Sequence, residues 1–154
     1  MQRTDTFLED FSPGQVYRLG TRGIGRDDIV AFARDYDPQP FHLDEEEAAR
    51  SAFGGLIASG WQTAGLFMRL LVDGLLRRTA SMGSPGVQDL RWLRPVRPGD
   101  ELSATLRVEE VAPSRTRADR GTIRFTGELG NQRGETVMTM VAVLIIGRRP
   151  DGGA

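Results

Sequence analysis

The chain has 154 residues, 20 basic and 21 acidic side chains and one histidine, for a formal net charge of -1. That balance excludes a nucleic-acid grip built on many phosphate contacts and an acidic interaction tail, and it favours small, roughly neutral partners. Hydrophobic residues at 39% and charged residues at 27% are ordinary for a globular domain, so one unit over 1–154 is expected, with its core at about 12–148. With no cysteine there are no disulfides, thiolate ligands or thiol nucleophiles, and one histidine leaves little from which to build a metal site.

Met1 to Asp10 carries Arg3, Asp5, Glu9 and Asp10 and lacks the apolar stretch of a secretory signal, so a cytoplasmic location is expected. A strand is expected at Gln15 to Leu19. Arg26-Asp27-Asp28 then opens an amphipathic helix in which Ile29, Val30, Phe32 and Ala33 recur at helical spacing, ending near Tyr36. Pro38 and Pro40 forbid a regular helix or central strand, which predicts a stiff loop from Asp37 to Phe41 running into His42. Asp44 is a natural N-cap for a second short helix, with Glu47 placed as in a capping box.

After Gly54-Gly55 a long helix is expected from about Ser59 to Arg78, with apolar residues on nearly every side; Gln62, Arg69 and Asp73 make it too polar for a membrane span. The second half reads as strands. Leu102, Ala104, Leu106 and Val108 alternate with polar residues, as do Ile123, Phe125 and Leu129. Val137 to Ile146 is almost continuously apolar, the pattern of a central strand covered on both faces. Short turns such as Glu128 to Gly134 imply antiparallel pairing. The result is an α+β fold with an antiparallel sheet wrapped around the long helix, and its open edge and apolar surface predict a homodimer.

Two stretches can carry chemistry. Asp35-Tyr36-Asp37-Pro38-Gln39-Pro40-Phe41-His42-Leu43-Asp44 places the one histidine near carboxylates on a stiffened loop, and an Asp and a His meeting at an apolar cleft can divide acid and base roles. Taken alone, an Asp and a His at this spacing are more often structural, the His in the core and the carboxylates capping the next helix. Phe53-Gly54-Gly55-Leu56-Ile57-Ala58-Ser59-Gly60-Trp61 leads into the long helix, whose free N–H groups can stabilise charge developing on a carbonyl oxygen. Its plain alternative is a glycine turn followed by a Ser59 N-cap.

Together the two stretches resemble the MaoC-like dehydratases, which include the (R)-specific enoyl-CoA hydratases and have a hotdog fold. Asp37-Pro38-Gln39-Pro40-Phe41-His42-Leu43-Asp44 resembles the family's Asp-x-Asn-Pro-aliphatic-His-x-Asp motif without a gap. Ile57-Ala58-Ser59-Gly60 stands where the family has its aliphatic-x-His-Gly element, and Gly86 to Asp100 resembles the strand and Pro-Val-x-Pro-Gly-Asp turn that follow. Gln39 and Ser59 depart from the Asn and His common at their positions. A register with Asp35 in the first place needs two inserted residues and is the second choice.

The resemblance implies that Asp37 and His42 are the catalytic pair, with Asp37 the main base toward a water molecule, and that the Gly60 N–H forms the oxyanion hole. Water would add reversibly to a trans-2-enoyl-CoA to give the (R)-3-hydroxyacyl-CoA, with no metal and no cofactor besides the coenzyme A of the substrate. An acyl tunnel beside the long helix is implied, lined by Trp61, Ala64, Gly65 and Met68 with Phe41 at its mouth; Ser59 is a further substrate-binding candidate, and Arg94, flanked by Arg91 and Arg97, is directed toward the coenzyme phosphates. An acyl-CoA thioesterase and a non-catalytic acyl-CoA-binding protein are the competing readings.

Overall fold

The alternating residues of the second half become four strands: β2 (Gly86–Trp92), β3 (Glu101–Pro113), β4 (Arg120–Gly130) and β5 (Thr136–Gly147). They follow β1 (Val16–Gly23) and four helices: α1 (Arg26–Tyr36), α2 (Pro40–Leu43), α3 (Glu45–Arg50) and α4 (Gly60–Gly74). This is a computed structural model that describes Arg3–Asp151, so residues 1–2 and 152–154 of the expected 1–154 unit lie outside the described residues. The strands form one five-stranded sheet, ordered β1-β3-β4-β5-β2 and antiparallel at every pairing. With α4 across one face, this is the expected hotdog arrangement.

β4 shows how pattern becomes core. Gly121, Ile123, Phe125, Gly127 and Leu129 are buried on one face, while Thr122, Arg124 and Thr126 between them are only half-buried. The buried face receives α4: the Phe67 ring stacks on Phe125 with centroids 6.4 Å apart, over Gly127. A Cβ built on Gly127 would lie 2.8 Å from Cε2 of Phe67, so the missing side chain is what lets helix and sheet approach. β1 runs past its expected end at Leu19 through a bulge between Arg18 and Gly20, where Gly20 adopts φ 105°.

Four expectations are corrected. The Asp37 to Phe41 loop is shorter than expected, because Pro40 begins α2 instead of prolonging the loop; at the first helical position its fixed φ suits a helix and its missing N–H costs no bond. The central strand is β4, while β5 lies between β4 and the edge strand β2. α4 ends at Gly74 and a separate 3-10 turn covers Leu76–Arg78. Gly74 packs against the backbone of β1, where a Cβ would stand 2.7 Å from the Leu19 carbonyl oxygen. Finally, α4 is not enclosed on every side: Gln62, Thr63, Phe67, Leu70 and Leu71 are buried, but Trp61 and Met68 are exposed. One sheet covers one stripe of the helix, so the remaining apolar residues face outward.

The first half positions the site. Asp44 caps α3 by accepting from the Glu46 and Glu47 N–H groups, both at 2.9 Å. The Pro-Gly-Asp turn is held by buried Asp100, which accepts from the Arg97 N–H and the Gln132 side-chain amide. Ala58 donates to the Val96 carbonyl at 2.8 Å, which ties the approach to α4 to that turn. Among the described residues no helix is long and apolar enough to cross a membrane.

The Phe67–Gly127 packing makes a prediction. Gly127→Ala should destabilise the protein by about 1–3 kcal/mol in urea denaturation, as overpacked cores do. Adding Phe67→Leu should recover part of that loss, whereas independent effects would add.

Candidate active site

The α1 helix stops at Asp37, whose N–H still bonds the Ala33 carbonyl at 2.9 Å while φ -151° takes the chain out of the helix. The turn is then closed from within: the Gln39 N–H bonds the Asp37 carbonyl at 2.8 Å, and the His42 N–H bonds the Gln39 carbonyl at 3.0 Å. With Pro38 and Pro40 limiting the remaining rotations, Asp37 and His42 are held on one compact unit.

His42 is 5% exposed and lies between two acceptors. Its Nδ1 is 2.7 Å from the Ile57 carbonyl oxygen, which can only accept, so that nitrogen carries the proton. Its Nε2 is 3.2 Å from Oδ2 of Asp37 and is the nitrogen left to exchange a proton. The Phe41 ring meets the imidazole edge-on at 4.6 Å. Burial pushes the Asp37 carboxyl upward, but hydrogen bonds from Gln39 and Ser59 and the charge and hydrogen bond of His42 outweigh it, so Asp37 is held below the usual aspartate value. Asp35, the alternative carboxylate, is exposed on α1, and the carboxylate brought to His42 is Asp37.

His42 opens onto a cavity of about 400 Å³, whose wall also contains Gly60 and the aromatic rings of Phe41, Phe53 and Trp92. Gly60 is the first residue of α4, and among the described residues its N–H makes no backbone hydrogen bond outside the helix. It is therefore one of the free donors at a helix start, where the dipole favours negative charge. A mainly apolar chamber with an imidazole on one side and a free N–H on another suits a polarised, otherwise apolar ligand.

The structure separates the remaining sequence-derived candidates. Phe41 and Arg94 line the cavity, and Arg94 is paired with Glu135 at 3.1 Å. Asp37 does not line it and is joined to it through His42. Ser59 is fully buried, and Ala64, Gly65 and Met68 are also outside the lining, as is the exposed Trp61. In the single chain the cavity lies at the helix N-terminus, and α4 turns Trp61 and Met68 outward. Arg91 pairs with Asp89, and Arg97 donates to the Phe53 carbonyl at 2.6 Å, bracing the loop beside the cavity. Among the described residues no cluster of three or more His, Cys, Asp or Glu side chains could hold a metal ion.

Sequence reasoning missed Trp92. Its indole lies against Gly60, where a Cβ would stand 2.7 Å from Cδ2, and meets Trp61 edge-on at 5.1 Å. Trp92 sits on the edge strand β2, distant in sequence from α4, and only the β2–β5 pairing carries it there. The Ile57 carbonyl that sets the His42 tautomer was also unreadable, since a backbone acceptor leaves no mark in residue identity.

Residues 10–127 match the family described as MaoC like domain. The chain is 44% identical to the solved structure of a MaoC-like dehydratase from Rhodospirillum rubrum, with a TM-score of 0.87 covering 95% of this chain and 99% of that one. It is 31% identical to the solved (R)-hydratase of Aeromonas caviae, with a TM-score of 0.72 over 88% of this chain and 97% of that one. It is also 36% identical over 117 residues to the 3-hydroxybutyryl-CoA dehydratase of Methylorubrum extorquens, covering 73% of this chain and 69% of that protein.

The contact between Gly60 and Trp92 is directly testable. Gly60→Ala should push the indole aside, change the tryptophan emission spectrum and cost about 1–3 kcal/mol of stability. An unchanged spectrum would mean that the ring does not rest on the helix start.

Proposed function

Since the chain belongs to the MaoC-like dehydratase family, we propose that it is a hydratase and dehydratase of trans-2-enoyl-CoA thioesters, forming the (R)-3-hydroxyacyl-CoA in the hydration direction. The observation that carries this reading is that His42, paired with Asp37 behind it, and Gly60, with its free helix-start N–H, line one apolar cavity. Hydration of a conjugated thioester needs two things: a group to take a proton from water, and donors for the thioester oxygen as it gains enolate character.

In the proposed reaction a water bound in the cavity beside Nε2 of His42, within reach of Oδ2 of Asp37, gives up a proton to the pair, with Asp37 the main base. Its oxygen bonds to C3 of the enoyl group, and the π electrons move toward the thioester oxygen facing the Gly60 N–H. The pair then returns a proton to C2, so the net change is H and OH added across the double bond. Dehydration is the reverse. The Ile57 carbonyl keeps the His42 ring in one orientation, so Nε2 is the working nitrogen throughout. Coenzyme A enters as part of the substrate, and no other cofactor has a role. Arg94 can meet its phosphates by exchanging its partner Glu135.

The enzyme is further proposed to act in the cytoplasm as a homodimer. Supporting the dimer, Val87, Trp92 and Leu93 are exposed on or beside the edge strand β2, and Trp61 and Met68 on α4, leaving apolar surface and unpaired strand edge together. The variant Val87→Asp/Leu93→Asp should shift the mass seen by light scattering from two chains to one.

Loss of the conjugated enoyl-thioester absorbance, over a panel of trans-2-enoyl-CoA chain lengths, tests the reaction. Asp37→Asn and His42→Ala should each lower kcat by about 100- to 10,000-fold, Asp35→Asn should leave it near the parent value, and the product alcohol should be (R). Release of free thiol without hydration would identify a thioesterase, and acyl-CoA binding without turnover a binding protein.

A further inference from the structure

Gln39 and Ser59, the two positions where the sequence departs from the motif it resembles, meet at one carboxylate. Gln39 Nε2 donates to Oδ1 of Asp37 at 2.7 Å, while Oδ2 is the oxygen that faces Nε2 of His42 at 3.2 Å. Ser59 is fully buried and outside the cavity lining, so substrate contact does not account for its hydroxyl. As the N-cap of α4 its Oγ accepts from the Trp61 N–H at 3.3 Å, which leaves its own proton free, and the hydroxyl is among the neighbours that favour the ionised form of Asp37.

We propose that Gln39 and Ser59 are positioning residues that clamp the Asp37 carboxylate, holding one oxygen so that the other faces His42 and tying it to the N-terminus of α4. The clamp joins three segments distant in role: the turn after α1, the histidine helix α2 and the start of α4, whose first residue, Gly60, lines the cavity. A carboxylate free to rotate would swing its plane away from His42; one with an oxygen held by Gln39 keeps the other directed at the imidazole. Among the described residues the ion pair made by Asp37 is with His42, and Gln39 and Ser59 bring neutral donors. The clamp therefore sets orientation and ionisation without adding a charge that would compete with the imidazole.

The inference rests on Asp37 being half of the acid–base pair, so its test needs a readout that does not depend on turnover. Carboxyl carbon NMR, with the Asp37 signal assigned by its loss in Asp37→Asn, follows the titration of this one group. Gln39→Leu and Ser59→Ala should each raise its midpoint, and the double variant should raise it further. The acid limb of kcat/KM should move upward in step, because the base must be ionised and each variant removes a donor that favours ionisation. In the double variant kcat should fall about 100-fold, with a smaller change in KM. Ser59→Thr keeps a hydroxyl and should restore the low midpoint. Ser59→Gly keeps an acceptable N-cap without the hydroxyl and should behave like Ser59→Ala.

Variants that lose thermal stability while the Asp37 midpoint stays where it was would overturn the clamp and leave both residues merely structural. Rescue by Ser59→Gly as complete as by Ser59→Thr would overturn the part assigned to Ser59. If the unaltered protein hydrates no enoyl-CoA, the proposed reaction fails, and the NMR titration still decides whether the clamp exists.

Discussion

An imidazole held between a main-chain carbonyl that can only accept and a carboxylate is the contact to which the rest of the site is built. The Ile57 oxygen takes the Nδ1 proton and leaves Nε2 facing Asp37. Both partners are placed by backbone. Ile57 lies on the segment that runs between α3 and α4, and Asp37 stands at the exit of α1, where a self-closing turn with two prolines leaves little freedom. A buried ring with one nitrogen committed has one orientation and one exchangeable site, which is the preorganisation proton transfer requires.

The same economy governs the start of α4. Ser59 ends the extended segment and caps the helix, and the next residue, Gly60, lines the cavity with an N–H that has no backbone partner outside the helix. Gly60 is needed there for a second reason, since the Trp92 ring occupies the place a Cβ would take. The cavity wall is thus made where helix start, histidine turn and edge strand meet, with the Pro-Gly-Asp turn bracing it through the Ala58 to Val96 bond. The sheet holds α4 in register from the opposite side through Phe67, Phe125 and Gly127.

The exposed apolar residues follow from the same geometry. A five-stranded sheet can cover only one stripe of a helix, and the stripe it covers here contains Thr63, Phe67, Leu70 and Leu71. Trp61 and Met68 fall outside it, and with Val87, Trp92 and Leu93 they remain open in the single chain. Residues that look like core by composition alone are therefore divided between an inner face and an outer one. In the single chain the cavity therefore lies apart from Trp61, Ala64, Gly65 and Met68.

Periodicity, turn chemistry and capping are local, so they were legible: the α+β class, the antiparallel strands, the end of α1 at Tyr36 and the Asp44 cap all follow from neighbouring residues. The Asp37–His42 pairing was legible only through the motif it resembles, since the spacing taken alone reads as structural and leaves Asp35 as an alternative. What the tertiary structure alone decided depends on contacts between residues far apart in the chain. These are the commitment of Nδ1 to a backbone oxygen, the arrival of Trp92 at Gly60 and the burial of Ser59 at the start of α4. The outward turn of Trp61 belongs with them. Side-chain identity records what a group can do, whereas its partner and its exposure are set by how strands pair and which stripe of a helix a sheet can cover.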